Sequence, residues 1–202
     1  FVDEGADFHS FTYAKYGGEV LKQPGQFAWQ VFDDKVSKLL RSEYRIKRIT
    51  KVSADTLEDL AAKLEGVDPA AFLATVRAYN AALPVDAPFD HTVKDGRATV
   101  GLTPPKSNWA LALDTPPYSA YATTCGITFT FGGLRISPDN GQVLDVHLNP
   151  IEGLYCAGEM VGGLFYFNYP SGTGLVSGAV FGRIAGRGAG EAARAARDTS
   201  VE

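Results

Sequence analysis

Chemistry-bearing residues fall into clusters along this chain of 202 residues. Gly158-Glu159 follows the short apolar run Gly153–Ala157. A carboxylate there sits where α/β sheets bind ligands, outside the carboxyl end of a strand, and can accept hydrogen bonds from sugar or polyol hydroxyls. A loop carboxylate that merely caps a helix reads the same way. Ser171-Gly172-Thr173-Gly174 opens the last helical pattern. Backbone N–H groups at a helix N-terminus favour a reduced, anionic cofactor or a substrate carboxylate; a tight helix entry that needs glycine is the alternative. Tyr166, Asn168 and Tyr169 lie on an aromatic loop after Gly162-Gly163, where phenols can donate to a carbonyl or carboxylate or else pack in a core. Thr128 and Thr130 alternate with Phe129 and Phe131 before Gly132-Gly133, as hydroxyl donors or as ordinary strand residues. His9, Tyr13, Lys15 and Tyr16 form a dense polar group. A lysine or tyrosine in it can give or take a proton where the site shifts its pKa, and a solvated surface strip is the other reading.

Other chemistries are absent from the pattern. The glycine-dense stretch GLYCAGEMVGGLFYFNYPSGTGLVSGAVFGRIAG is neither G-x-G-x-x-G after a strand nor G-x-x-x-x-G-K-[ST]. No His/Cys/Asp/Glu spacing indicates a metal, no Ser–His–Asp arrangement is visible, and His91 and His147 stand alone in loop contexts. The formal net charge of -4 argues against a nucleic-acid or anionic-membrane partner. An anionic substrate must then be recognised by a few placed cations. Cys125 and Cys156 are too far apart in sequence for a C-x-x-C pair and read as reduced buried thiols, which suits a cytoplasmic location. No apolar run is long enough to span a bilayer.

These residues need elements to hold them. Phe27–Phe32 reads as a strand entering a helix at Asp33-Asp34. Leu57, Leu60, Ala61 and Leu64 have helical spacing, with Gly66 as C-cap. Asp68 and Pro69 open a further helix whose apolar stripe is Phe72, Leu73, Val76 and Tyr79. From about 83 to 117 prolines dominate, as in a connection between lobes. An alternating segment follows and turns at Pro138-Asp139-Asn140-Gly141, a hairpin signal. The chain then offers a short apolar strand and a small-residue helix from about 172 to 196. The fold class is α+β: a lobe of strand and helices, then the tail of another lobe. A lone closing strand with a small-residue helix belongs to a larger sheet, so the start at Phe1 leads to the expectation of a missing N-terminal half.

The residues GLYCAGEMVGGLFYFNYPSGTGLVSGAVFGRIAG, ITFTFGGLRIS and GQFAWQVFDD together resemble the flavoprotein family of fumarate reductase and succinate dehydrogenase. FTYAKYG, TCGITFTFGGL and GGLFYFNYPSGTGL look most like its tricarballylate dehydrogenase branch, with a flavoprotein of cobalamin synthesis nearby. The resemblance implies residues 1–125 as a capping, substrate-binding domain with its Pro-rich connection. Residues 126–202 are then the C-terminal segment of an FAD-binding α/β domain. It implies FAD as cofactor, held by Gly158, Glu159, Thr173, Gly174 and Leu175, with binding weak or absent in this chain alone. Substrate then lies between cap and isoalloxazine, and hydride passes between a C–C bond and the flavin. A polycarboxylate such as tricarballylate is the implied substrate, bound by Thr128, Thr130, Tyr166, Asn168, Tyr169 and Gly172. Tyr13, Lys15 and Tyr16 are the implied proton-transfer group. Partners are a small-molecule carboxylate, the missing FAD-binding half and an electron-accepting membrane or iron–sulfur protein. The pattern also departs from fumarate reductases: Thr128 stands in place of a histidine, Tyr169 in place of a substrate-gripping arginine, and Tyr13 near a proton-shuttling one. A tyrosine at the Tyr169 position also resembles 3-ketosteroid Δ1-dehydrogenases, which makes a cyclic ketone the alternative substrate.

Overall fold

The computed structural model describes residues 12–84 and 87–199; His9 lies outside them. Among the described residues the chain divides into two compact units, one beginning at Lys15 and ending at Cys125, the other made of Gly126 onward together with residues 12–14.

The first unit opens with α1 (Lys15–Leu21) and is built on an antiparallel sheet of β1 (Phe27–Phe32), β2 (Lys51–Ala54) and β3 (Tyr118–Thr124), with β3 central. The register pairs Trp29 with Ala122 and Val31 with Ala120 on one side, and Val52 with Ala120 on the other. Strand side chains alternate between faces, so Trp29, Val31, Val52, Ala54, Tyr118 and Ala120 share the core face. They pack there with Leu57, Leu60, Leu64 and Phe72. Leu60 is completely buried.

The helices over this face obey the sequence in kind but not always in length. α3 (Pro69–Ala81) starts as its residues dictate: the Asp68 carboxylate accepts the Ala71 N–H at 2.9 Å, and Pro69 occupies the first turn. α2 (Leu57–Ala61), capped by Thr56, spans five residues and stops well short of Gly66. Leu64 is nevertheless buried, because residues 62–67 curl in successive turns, with Leu64 N–H on Ala61 and Val67 N–H on Leu64. Packing, rather than helical propensity, sets where such a short helix ends.

The helix expected after β1 is reduced to a single 3-10 turn, Asp34–Val36. Asp33 explains the change. It is buried, and its carboxylate takes the N–H groups of Lys35, Asp114 and Thr115 and the ammonium of Lys35, which also pairs with Asp114. Asp33 therefore clasps the 113–115 loop instead of launching a helix. The Pro-rich connection carries no helix or strand among its described residues. It is ordered by side-chain bonds: Asn80 brackets Leu113 at 2.9 and 3.0 Å, and Asp95 Oδ1 accepts from Arg97 N and Trp109 N.

In the second unit β4 (Gln142–Leu144) pairs antiparallel with β5 (Pro150–Tyr155), and α4 (Thr173–Thr199) closes the chain. The 137–141 turn forms, with Gly141 N–H on Ser137 O at 2.9 Å, and across it Ile136 bridges Val143, Ser137 N–H bonds Gln142 O (2.8 Å) and Leu144 N–H bonds Arg135 O (2.9 Å). The alternating segment forms a strand only in its first part, β3, and is irregular over 125–133. Its end is fastened instead by Leu134, which exchanges backbone bonds with Met160 (2.7 Å) and Gly162 (3.0 Å). Gly133 and Gly162 make this possible: a Cβ on Gly133 would lie 2.3 Å from Met160 O. Small residues of α4 serve the same purpose. Ser177, Ala185 and Gly188 are buried, and the 140–141 turn lies against the last two. A small core of Val143, Cys156 and Val161 packs with Ile136 and Phe181. Burial pushes the Cys156 thiol above its ordinary pKa, so it is an inert core residue.

Candidate active site

The second unit brings several of the expected residues together around the start of α4. Tyr169 is the centre. Its ring stacks on Phe129 with centroids 4.5 Å apart and meets Phe165 edge-on at 5.3 Å. Phe129 and Phe165 are themselves edge-to-face at 5.3 Å. Such a packed aromatic platform fixes the position of the phenol hydroxyl. That hydroxyl oxygen accepts the Gly174 N–H at 2.9 Å. Gly174 has to be glycine here: a Cβ would fall 2.6 Å from Phe129 Cε2 and 2.9 Å from the Tyr169 oxygen.

Tyr13 joins this group from the far end of the sequence. Its ring meets Tyr169 edge-on at 5.6 Å, and its hydroxyl lies 3.2 Å from Thr128 Oγ1. Next to it, the Ala14 N–H donates to Asn168 Oδ1 at 3.2 Å. Tyr13 and Thr128 are exposed, so their hydroxyls can reach a ligand. Tyr13, Thr128, Asn168 and Tyr169 therefore form one constellation of neutral hydrogen-bonding groups.

Thr130 contributes through its backbone, whose N–H donates to Glu159 Oε1 at 2.7 Å. Glu159 sits on the Gly158–Met160 3-10 turn that follows β5, and Gly158 enters it with φ 74°. Tyr166 points away to solvent, 83% exposed, against the ring of Phe167. The Asn168 N–H bonds Tyr166 O at 2.8 Å across Phe167, which has φ 62°, a sparsely populated conformation for a side chain of this size. Gly172, with φ 83°, delivers the chain into α4. Lys15 and Tyr16 lie on α1, in the first unit. Phe129 and Phe165 are site residues that sequence reasoning misses: their aromatic density is visible in the sequence, but their packing against Tyr169 is not.

The residues expected to hold FAD fit such a group in part of their donors. The Thr173 and Gly174 N–H groups are already taken, by Pro170 O and Tyr169. The next N–H, on Leu175, has no acceptor among the described residues, and the Leu175 and Val176 side chains beside it are 84% and 60% exposed. Glu159 spends Oε1 on Thr130 and keeps Oε2 without a partner among the described residues. An exposed apolar helix start with a spare amide, next to a carboxylate with a spare oxygen, suits a planar ring joined to a polyol chain. No group of side chains among the described residues could hold a metal ion.

Comparison with known proteins agrees with this chemistry. Residues 1–175 match the family model described as the FAD binding domain. The chain is 37% identical over 175 residues to the probable fumarate reductase Ifc3 of Shewanella frigidimarina (strain NCIMB 400), covering 84% of this chain and 26% of that protein. Among solved structures it is similar to the open conformation of a flavocytochrome c3 fumarate reductase, with a TM-score of 0.65 and 32% identity over 96% of this chain and 31% of the other. It is also similar to 3-ketosteroid Δ1-dehydrogenase from Sterolibacterium denitrificans, with a TM-score of 0.62 and 26% identity over 91% of this chain and 36% of the other. The chain thus spans about a quarter of the length of the fumarate reductase relative. It belongs to the FAD binding domain family.

Proposed function

We propose that this chain is part of an FAD-dependent oxidoreductase that removes hydrogen from a C–C bond of a polycarboxylate such as tricarballylate, giving the alkene. In this reading residues 1–125 are the substrate-capping domain and 126–202 the closing segment of the FAD-binding domain. The observation that carries it is the Tyr13–Thr128–Tyr169–Asn168 constellation at the start of α4, beside the residues that suit FAD. Bound FAD supplies the two-electron acceptor for the hydride. The protein's share is binding, orientation and movement of the accompanying proton.

Tyr169 binds by donation. Its oxygen is occupied by the Gly174 N–H, so the phenol proton is the group left to offer to a substrate oxygen. A bond accepted by an oxygen strengthens the one that its proton donates. Thr128 and Asn168 position the same end of the substrate. Tyr13, whose hydroxyl shares a hydrogen bond with Thr128, is the proton-transfer group. Charge for a polycarboxylate comes from Arg135 or from residues outside this chain.

The test is flavin reduction in the full-length protein. Anaerobic addition of tricarballylate is expected to bleach the flavin, whereas a 3-ketosteroid leaves it oxidised. Bleaching by the steroid and not by the tricarboxylate would replace this reading with that of a ketosteroid dehydrogenase.

A further inference from the structure

The sheet of the first unit has a second face. Opposite the core residues, the register places Phe32 beside Ser119, and Tyr121 between Gln30 and Lys51. The 34–45 segment lies over this face and encloses a cavity of about 380 Å³. All of its lining residues belong to the first unit, whereas the hydroxyl constellation belongs to the second.

The cavity has an aromatic wall and a cationic rim. Tyr44 and Tyr121 meet edge-to-face at 4.9 Å, and Phe32 meets Tyr44 at 5.6 Å. The Tyr44 hydroxyl donates to Gln30 Oε1 at 2.8 Å, which fixes the ring. Lys51 Nζ stands 5.4 Å from the Tyr121 ring centre. Arg45 donates from one amino group to Leu40 O, and a guanidinium has further donors to give. Neither Arg45 nor Lys51 has a carboxylate within ion-pair reach among the described residues.

The carboxylates on the other side are unequal. Asp33 is saturated by Lys35 and by three backbone N–H groups, so it holds the fold and has no capacity for a ligand. Asp34 is the exposed acid among the lining residues. Residues 38–51 hold six cations, Lys38, Arg41, Arg45, Lys47, Arg48 and Lys51, against the single acid Glu43. In the lining itself the cations are Arg45 and Lys51, set against Asp34 and the Lys35-paired Asp33.

We infer that this cavity binds a small planar anion, a ring carrying one carboxylate or phosphate, with the ring against Tyr44 and Tyr121 and the charge on Arg45 and Lys51. Its volume is of the size that small-molecule sites have. Arginine offers the fork that either anion accepts.

Calorimetric titration of the full-length protein with benzoate, adenosine monophosphate and inorganic phosphate tests this. At least one of the two ring anions is expected to bind saturably and more tightly than phosphate, and which one does so identifies the anionic group. R45Q is expected to weaken that binding about tenfold, the loss of one charge-assisted contact. D34N is expected to tighten it by roughly two- to fivefold by removing a like charge. The opposite signs separate a site effect from misfolding, which only weakens binding. Saturable binding by neither ring anion, or affinities unmoved by both substitutions, would overturn the proposal. So would a shift of the flavin absorbance that follows the anion and persists in R45Q, because binding would then lie at the flavin.

Discussion

The Tyr169 phenol oxygen accepts the backbone N–H of Gly174, five residues on, and so caps the first turn of α4. One side chain thereby joins the aromatic platform of Phe129 and Phe165 to the end of the longest helix. It holds the helix start and keeps the phenol proton to donate. Substituting Tyr169→Phe removes both roles. In the full-length enzyme kcat/KM is expected to fall ten- to a few-hundred-fold, equivalent to about 1–3 kcal/mol of lost hydrogen bonding. Steady-state kinetics with tricarballylate decide it, and unchanged values take Tyr169 out of the substrate site.

Gly174→Ala probes the packing while keeping the phenol in the sequence. The added methyl meets Phe129 and the Tyr169 oxygen at distances no van der Waals contact permits. Either the ring shifts or the helix start does, and overpacking of this kind costs about 1–3 kcal/mol. A lowered melting temperature together with reduced turnover is expected. A variant as stable and active as the parent would show that the ring has room to move.

Tyr13 and Thr128 are a direct test of coupling. Tyr13→Phe and Thr128→Val each break the same 3.2 Å contact. If the two hydroxyls act as one unit, the double variant loses little more activity than the worse single variant. A multiplicative loss in kcat/KM would mean that each hydroxyl meets the substrate independently.

The Lys35 clasp makes a prediction about pH. The hydrogen bond from Lys35 holds the Asp114 carboxyl below its ordinary pKa, against the opposing effect of burial. A carboxyl depressed in the folded state stabilises the protein above its unfolded pKa, and this contribution disappears as pH falls through the lower folded value. Asp114 is largely exposed, so the contribution is at most about 1 kcal/mol. Thermal melts of the parent and D114N are expected to differ by a few degrees near neutrality and to converge below the ordinary aspartate range. A gap that stays constant to low pH would remove Asp114 from the clasp's energetics.

Leu60 anchors the core beneath the first sheet, completely buried against Leu64, Tyr118 and Ala120. Leu60→Ala is expected to cost about 2–5 kcal/mol, read as a shift in the denaturation midpoint. A cost under about 1 kcal/mol would mean that the site collapses on the smaller side chain.

Local chemistry made several elements legible in advance. Asp68-Pro69 started α3 where a cap and a first-turn proline place a helix, and Phe27–Phe32 became β1 because alternating large side chains suit a sheet with one packed face. The helix expected after β1 failed because Asp33 bonds to residues eighty positions away. The alternating segment continues past β3 without forming a strand, and its end is fastened by Leu134 to Met160 and Gly162. Neither fact lies within reach of a local window. Thr130 shows the same limit at the site: its hydroxyl drew attention, but its backbone N–H makes the contact to Glu159.

By itself the sequence determined the family, because GLYCAGEMVGGLFYFNYPSGTGLVSGAVFGRIAG resembles the family's segment in the order of its glycines, each of which lets backbone come close to a neighbour. Tertiary structure decided which hydroxyls meet. Tyr13 and Thr128 are 115 positions apart, and Tyr169 meets the Tyr13 ring edge-on and stacks on Phe129, contacts that no spacing encodes. Loop closure over such a distance depends on the packing of the whole unit, so the site's membership is a property of the fold.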